Sequence, residues 1–124
     1  MNKDPLIPSR DSLTFSVSRE PGYAVVAVAG KVDASTEQPF RDALTSVLVH
    51  GVPRIVVDLS RVAFMSSAGI GVLMGVRRVL ADAGGSLVLA APHGEVAQVL
   101  SITGVAGVIP VTASLADAVA ALGS

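Results

Sequence analysis

No cysteine occurs in this chain, so disulfides and thiolate metal sites are excluded. Imidazole is scarce as well. His50 and His93 are the two histidines, no carboxylate cluster accompanies either, and both read as surface residues. No metal site, cofactor or catalytic residue is expected. Basic charge is thin and scattered: nine Lys and Arg stand against ten Asp and Glu, with no basic stripe, which argues against nucleic acid as a partner. Long apolar runs are missing. Ala68–Val76, beside the central helix, is too short to span a bilayer, and the first residues, MNKDPLIPSRDS, hold no apolar core for a signal peptide. A cytoplasmic protein without a membrane partner is the expectation. Low charge does not mean disorder here, because 51% of the 124 residues are hydrophobic and 15% charged, enough for one core in one domain.

What is present centres on Arg54–Ala83. Ile55, Val56 and Val57 form a β-branched run suited to a strand buried on both faces, with Pro53 punctuating its start. From Ile70 the period becomes helical. Ile70, Leu73, Val76 and Leu80 share a face, widened by Val72, Val79 and Ala83, and Gly84-Gly85 stop the helix. Between strand and helix lies Met65-Ser66-Ser67-Ala68-Gly69, which puts two hydroxyls at a helix N-terminus. The unpaired amides there accept a serine oxygen as a cap, and would accept a phosphate equally well.

Around this centre the elements alternate. Residues 1–11 read as a loose arm and 12–124 as a single domain. Leu13, Phe15 and Val17 alternate with polar residues, as in a half-buried strand, and Glu20-Pro21-Gly22 turns into a second strand, Tyr23–Ala29, closed by Gly30-Lys31-Val32-Asp33. Ser35 and Gln38 have capping-box spacing, and Pro39 favours Thr36, or a strained Ser35, as the cap of a helix that buries Phe40, Leu44, Val47 and Leu48 and ends at His50-Gly51. After the central helix come a short strand at Leu87–Leu89 and a helix with Pro92 in its first turn and a Val96/Val99/Leu100 stripe, ended by Thr103-Gly104. A strand within Val105–Val111 follows. A last helix is capped by Ser114, with Leu115, Val119 and Leu122 as its stripe. The order β-β-α-β-α-β-α-β-α predicts an α/β fold: a mixed sheet packed with four helices.

Other chemistries fit poorly. Gly69, Gly71 and Gly75 stand too far from the strand for a dinucleotide loop, and close packing or room for a partner's backbone explains them better. Neither serine lies in a Gly-x-Ser-x-Gly elbow, so an enzyme is not expected. Asp58 ends the strand, where a turn hydrogen bond is its ordinary role; Asp33 precedes a helix, where capping is.

At Val57-Asp58-Leu59-Ser60, Phe64 and Ser66-Ser67-Ala68-Gly69 the sequence resembles a STAS domain. Within that superfamily it is most similar to the bacterial anti-sigma factor antagonists, over about Leu13–Leu122. In that family the strand–loop–helix centre reads aspartate, phosphorylatable serine or threonine, a small residue, then glycine. Gly69 sets the register, so the resemblance implies Ser67 as phosphoacceptor. Ser66 replaces the aspartate, which removes a charge and leaves Ser66 as the alternative acceptor. Gly30 and Asp33 match the glycine-x-x-aspartate that neighbours the phosphorylation loop.

The resemblance implies a STAS-like sheet and a partner switch. The unmodified protein would bind an anti-sigma factor that is also a serine kinase, phosphorylation would release it, and a PP2C-type phosphatase would reset it. Gly30, Asp33, Met65, Ser66, Ser67, Ala68, Gly69, Ile70 and Met74 would form the partner surface, with Gly30–Thr36 and Phe64–Gly71 side by side. Two alternatives stand beside it: a STAS scaffold or sensor without a phosphorylation cycle, and a small-molecule-binding domain using the Gly-rich turn.

Overall fold

The computed structural model describes residues 13–49 and 54–122. The expected arm at 1–11, the helix end at His50-Gly51 and Pro53 lie outside them. The elements are β1 (Thr14–Glu20), β2 (Tyr23–Val32), α1 (Glu37–Val49), β3 (Arg54–Met65), α2 (Ser67–Asp82), β4 (Ser86–Ala90), α3 (Gly94–Ile102), a 3-10 turn (Val105–Gly107), β5 (Val111–Thr112) and α4 (Leu115–Leu122). The strands make one sheet in the order β1-β2-β3-β4-β5. β1 runs antiparallel to β2, and every other pair is parallel. This is the expected mixed α/β order, with one 3-10 turn added.

The sheet separates two apolar clusters. Ile55, Val57 and Leu59 of β3 point into the larger one, with Val26 of β2, Phe40 and Leu44 of α1, and Leu73, Val76 and Leu80 of α2. Val56 points the other way, against Val88, Ala90, Ala118 and Leu122. The β-branched run is thus fully buried on both faces, as its composition predicts. α2 ends in the paired bonds of a Schellman motif, from the Gly85 amide to the Leu80 carbonyl (2.7 Å) and from the Gly84 amide to the Ala81 carbonyl (3.0 Å).

Several elements depart from the sequence reading, each for a local reason. β1 is exposed along its whole length. Phe15 and Val17 pair with Val28 and Val26 at the sheet edge, and near this strand Leu13 is what packs on the core. Val79 and Ala83 face solvent, so the apolar stripe of α2 is narrower than expected. Pro92 precedes α3, whose N-cap is His93. The stretch after Gly104 forms a 3-10 turn that buries Val105 and Ile109, which leaves a two-residue strand. Ser114 does cap α4, accepting the Asp117 amide at 3.1 Å, but the buried face is Ala118 and Leu122 while Leu115 is exposed.

The largest departure is in β2 and β3, which run on to Val32 and Met65 rather than stopping at Ala29 and Asp58. β4 accompanies β3 only as far as Asp58. Beyond that point β3 pairs, among the described residues, with β2 alone, and its register slips twice, between Ala27 and Ala29 and between Gly30 and Lys31. Each slip places an extra residue in β3, as a β-bulge does. The positions that enter the larger core therefore change from every second residue (Ile55, Val57, Leu59) to every third (Leu59, Val62, Met65).

Candidate functional site

The extended ends of β2 and β3 build the site. Because the two strands are parallel, their C-terminal ends meet at one edge of the sheet, with Lys31 beside Phe64 and Val32 beside Met65. The Ser66 amide donates to the Val32 carbonyl at 2.8 Å and ties the loop after β3 to the end of β2. Gly69 closes the join. A Cβ there would stand 2.6 Å from Val32 Cγ1 and 2.8 Å from Met65 Cγ, so only glycine lets the helix approach so closely. The β2–β3 pairing and the Ser66–Val32 bond thus bring residues 30–36 and 64–71 side by side.

The two serines have different surroundings. Ser66 is the N-cap of α2, with extended backbone (φ −92, ψ 178), and its Oγ accepts the Ala68 amide at 3.2 Å. Ser67 is the first helical residue and is exposed. No hydrogen bond ties its hydroxyl to another of the described residues. It sits where the helix dipole is positive, in a first turn that carries no acidic residue. Such a position tolerates a negative group on the oxygen.

The neighbouring turn is held by Asp33. Its Oδ1 accepts the Ser35 hydroxyl at 2.7 Å and the Ser35 amide at 2.9 Å. The Ser35 hydroxyl, helped by the Ser35 and Thr36 groups, holds the Asp33 carboxyl below the usual carboxylate range. Asp33 therefore shapes the turn rather than capping α1. The expected Ser35–Gln38 capping box does not form: Ser35 bonds Asp33, and Gln38 reaches forward to Asp42 (2.8 Å). Gly30 enters this turn at φ 119, beside the second register slip, a conformation that L side chains rarely adopt.

Of the residues expected on a partner surface, two are internal. Met65 is 1% exposed and Gly69 is buried, so both support the site from beneath. Ile70 and Met74 are half-buried against the large core. Gly71 and Gly75 face open space, so close packing explains Gly69 alone of the three. Asp58 makes its expected local bond, to the Ser60 amide (3.0 Å), but within the bulged strand rather than at its end. His93 is exposed, and its Nε2 lies 2.9 Å from the Ser60 carbonyl, an acceptor, so that nitrogen carries the proton. The bulge residue Ser60 thus has both backbone groups satisfied by side chains.

Sequence reasoning missed the work of Thr36. It is 5% exposed, and its Oγ1 donates to the Lys31 carbonyl (2.8 Å) and accepts the Asp33 amide (3.0 Å). The available signal was Pro39: a proline three residues after a helix cap removes an amide the cap would otherwise take. Two clefts are open elsewhere. One, of about 490 Å³, lies on the sheet face beside Thr14, Ser16, Ala27, Ala29, Asp58 and Arg61. The other, of about 570 Å³, lies between α1 and α2 beside Leu48 and Val79. The Ser66–Gly71 turn lines neither. Among the described residues, no helix is long and apolar enough to cross a membrane.

Known proteins share this architecture. The anti-sigma-B factor antagonist of Listeria monocytogenes is 29% identical over 93 residues, which is 75% of this chain and 82% of that one. The anti-sigma-F factor antagonist RsfB of Mycobacterium tuberculosis is 33% identical over 63 residues, about half of each chain (51% and 52%). A crystal structure of an anti-sigma factor antagonist from Mycobacterium paratuberculosis superposes with a TM-score of 0.85 at 28% identity, covering 95% of this chain and all of that one. Residues 14–118 match the STAS domain, which shows that the chain belongs to the STAS domain family.

Proposed function

We propose that this protein is an anti-sigma factor antagonist that works by partner switching, with Ser67 as its phosphoacceptor. The observation that carries the reading is the division of labour between the adjacent serines. Ser66 Oγ is engaged as the helix cap, whereas Ser67 is exposed and its hydroxyl bonds no other described residue. Relatives named as anti-sigma factor antagonists support the partner class. In this reading the unmodified surface formed by Gly30, Asp33, Ser66, Ser67, Ala68, Ile70 and Met74 binds an anti-sigma factor with serine kinase activity. A phosphate on Ser67 adds about −1.5 to −2 charges. The start of α2 tolerates that charge within the domain, but a tightly packed partner meets a desolvation cost and repulsion from any facing carboxylate. A PP2C-type phosphatase restores the binding form. The protein acts as a regulator by binding, in the cytoplasm, and catalyses nothing itself.

Affinity capture with wild type and Ser67→Glu in parallel, followed by phosphosite mapping with the captured kinase, tests this. Wild type and Ser67→Ala should hold the anti-sigma factor, and Ser67→Glu should hold it weakly. Ser66→Ala should still be phosphorylated, and Ser67→Ala should not. Phosphate on Ser66, or undiminished labelling of Ser67→Ala, would overturn the assignment. Stable partner binding with no phosphate on either serine would leave a scaffold without a cycle.

A further inference from the structure

We infer that Thr36 is a positioning residue for Ser67, acting through Val32; this rests on the reading of Ser67 as phosphoacceptor. Thr36 occupies the cap position of α1, since its carbonyl accepts the Phe40 amide at 3.0 Å. A threonine there ordinarily turns its hydroxyl to the second or third helical amide. The third helical residue here is Pro39, which has no amide hydrogen. The hydroxyl turns the other way. It donates to the Lys31 carbonyl at 2.8 Å and accepts the Asp33 amide at 3.0 Å, so it clamps the residues on either side of Val32. Among the described residues it is the one buried polar side chain, and its hydroxyl bonds only Lys31 and Asp33, with longer contacts to the Asp33 carbonyl and carboxylate at 3.4 Å.

Val32 in turn holds the start of α2 in two ways. Its carbonyl accepts the Ser66 amide at 2.8 Å, and its Cγ1 fills the space against Gly69 that a Cβ would need. Ser67 lies between these two points of contact. The line Thr36–Val32–Ser66/Gly69 therefore fixes the height and direction at which the Ser67 hydroxyl leaves the surface. The threonine hydroxyl shapes the modification site without touching the modified atom.

Amide hydrogen exchange on the whole chain, read residue by residue by NMR, tests this with two variants. Thr36→Val keeps the volume and removes the hydroxyl; Thr36→Ser keeps the hydroxyl. In Thr36→Val the Ser66 amide should exchange up to about tenfold faster, the scale of one lost hydrogen bond. The Leu89 amide, which bonds the Pro110 carbonyl across the sheet, should keep its rate. Thr36→Ser should restore Ser66. Equal acceleration at Ser66 and Leu89, no change at either, or a Thr36→Ser variant that behaves like Thr36→Val would each overturn the assignment. With the kinase captured above, kcat/KM for transfer to Ser67 should fall in Thr36→Val and recover in Thr36→Ser. Unchanged transfer beside faster Ser66 exchange would overturn the link to the modification. Absence of phosphate on wild-type Ser67 counts against the phosphoacceptor reading alone, and the exchange rates then decide the positioning role by themselves.

Discussion

The two halves of β3 do different jobs. Arg54–Asp58 is paired on both sides, with β2 and β4, and its alternate residues enter two separate cores. Among the described residues Leu59–Met65 is paired with β2 alone, and it carries both register slips. Its free edge is met at Ser60 by the His93 ring rather than by a strand. The first half anchors the domain, and the second delivers a helix start to a chosen place. Losing a strand partner and gaining two bulges bends the strand end, which aims α2 without disturbing the core behind it. One strand thus serves as both scaffold and site because its neighbours stop at different lengths.

The largest expected effect lies on the anchoring half. Leu73 is fully buried in the cluster that β3 enters through Ile55 and Val57. Leu73→Ala should lower unfolding free energy by about 2–5 kcal/mol through lost burial and a residual cavity. Denaturant titration measures it. A loss of less than about 0.5 kcal/mol would mean that this region collapses to fill the gap, and the contrast between halves would weaken.

Gly69 marks the boundary on the site half. Gly69→Ala would drive a methyl into Val32 and Met65, both buried and unable to swing away, so about 1–3 kcal/mol of overpacking should outweigh the gain in helix propensity. Gly71→Ala, two residues on, meets nothing within 4 Å and should stabilise the helix by about 0.5–1 kcal/mol. Thermal denaturation of the pair separates the two. If both variants gain stability, the close join at Val32 is softer than its distances indicate.

The same contrast explains what was legible in the sequence. The anchoring half announces itself, because Ile55-Val56-Val57 can hardly be other than a strand buried on both faces, and the Ile70/Leu73/Val76/Leu80 spacing phases the helix against it. Val79 was misjudged because hydropathy says nothing about where α1 stops covering α2. The site half was hidden by its own bulges. Leu59, Val62 and Met65 recur every three residues, a period that belongs to no regular strand, so the sequence pattern ends the strand at Asp58. The motif around Ser67 was visible through resemblance, and the separation of cap from free hydroxyl emerged only with the backbone angles. Thr36 escaped because a threonine before a helix looks like a cap, and its diversion depends on where the end of β2 lies in space.

A finer test concerns the serines. Ser66→Ala removes the one side-chain cap of α2 and should cost about 1 kcal/mol. Ser67→Ala removes the hydroxyl of an exposed residue that bonds no other described residue, and should stay within about 0.5 kcal/mol of wild type. Chemical denaturation of both variants ranks them. Equal losses would mean that the two hydroxyls share the cap, which would undercut the assignment of separate roles.

The smallest expected effect is acid sensitivity of the Asp33 turn. Hydrogen bonding, first from the Ser35 hydroxyl, lowers the Asp33 pKa in the folded state. A carboxyl whose folded pKa lies below its unfolded value stabilises the fold while it is ionised. That contribution is complete above the unfolded value, near 3.9, and is lost as pH falls through the lower folded value. Asp33 is only half-buried and its bonds are local, so the effect on global stability should be slight. Its local signature should still be readable. As pH falls below the ordinary carboxylate range, the Ser35 amide, bonded to Asp33 Oδ1, should shift with the Asp33 titration. The Leu89 amide should not follow, since its bond to Pro110 lies in the half of the sheet that carries no part of the turn. Asp33→Asn keeps an acceptor oxygen but cannot ionise, so it should abolish the pH-dependent shift at Ser35. A Ser35 amide that titrates unchanged in Asp33→Asn would mean that some other group senses the acid, and the turn would lose its claim to be held by that carboxylate.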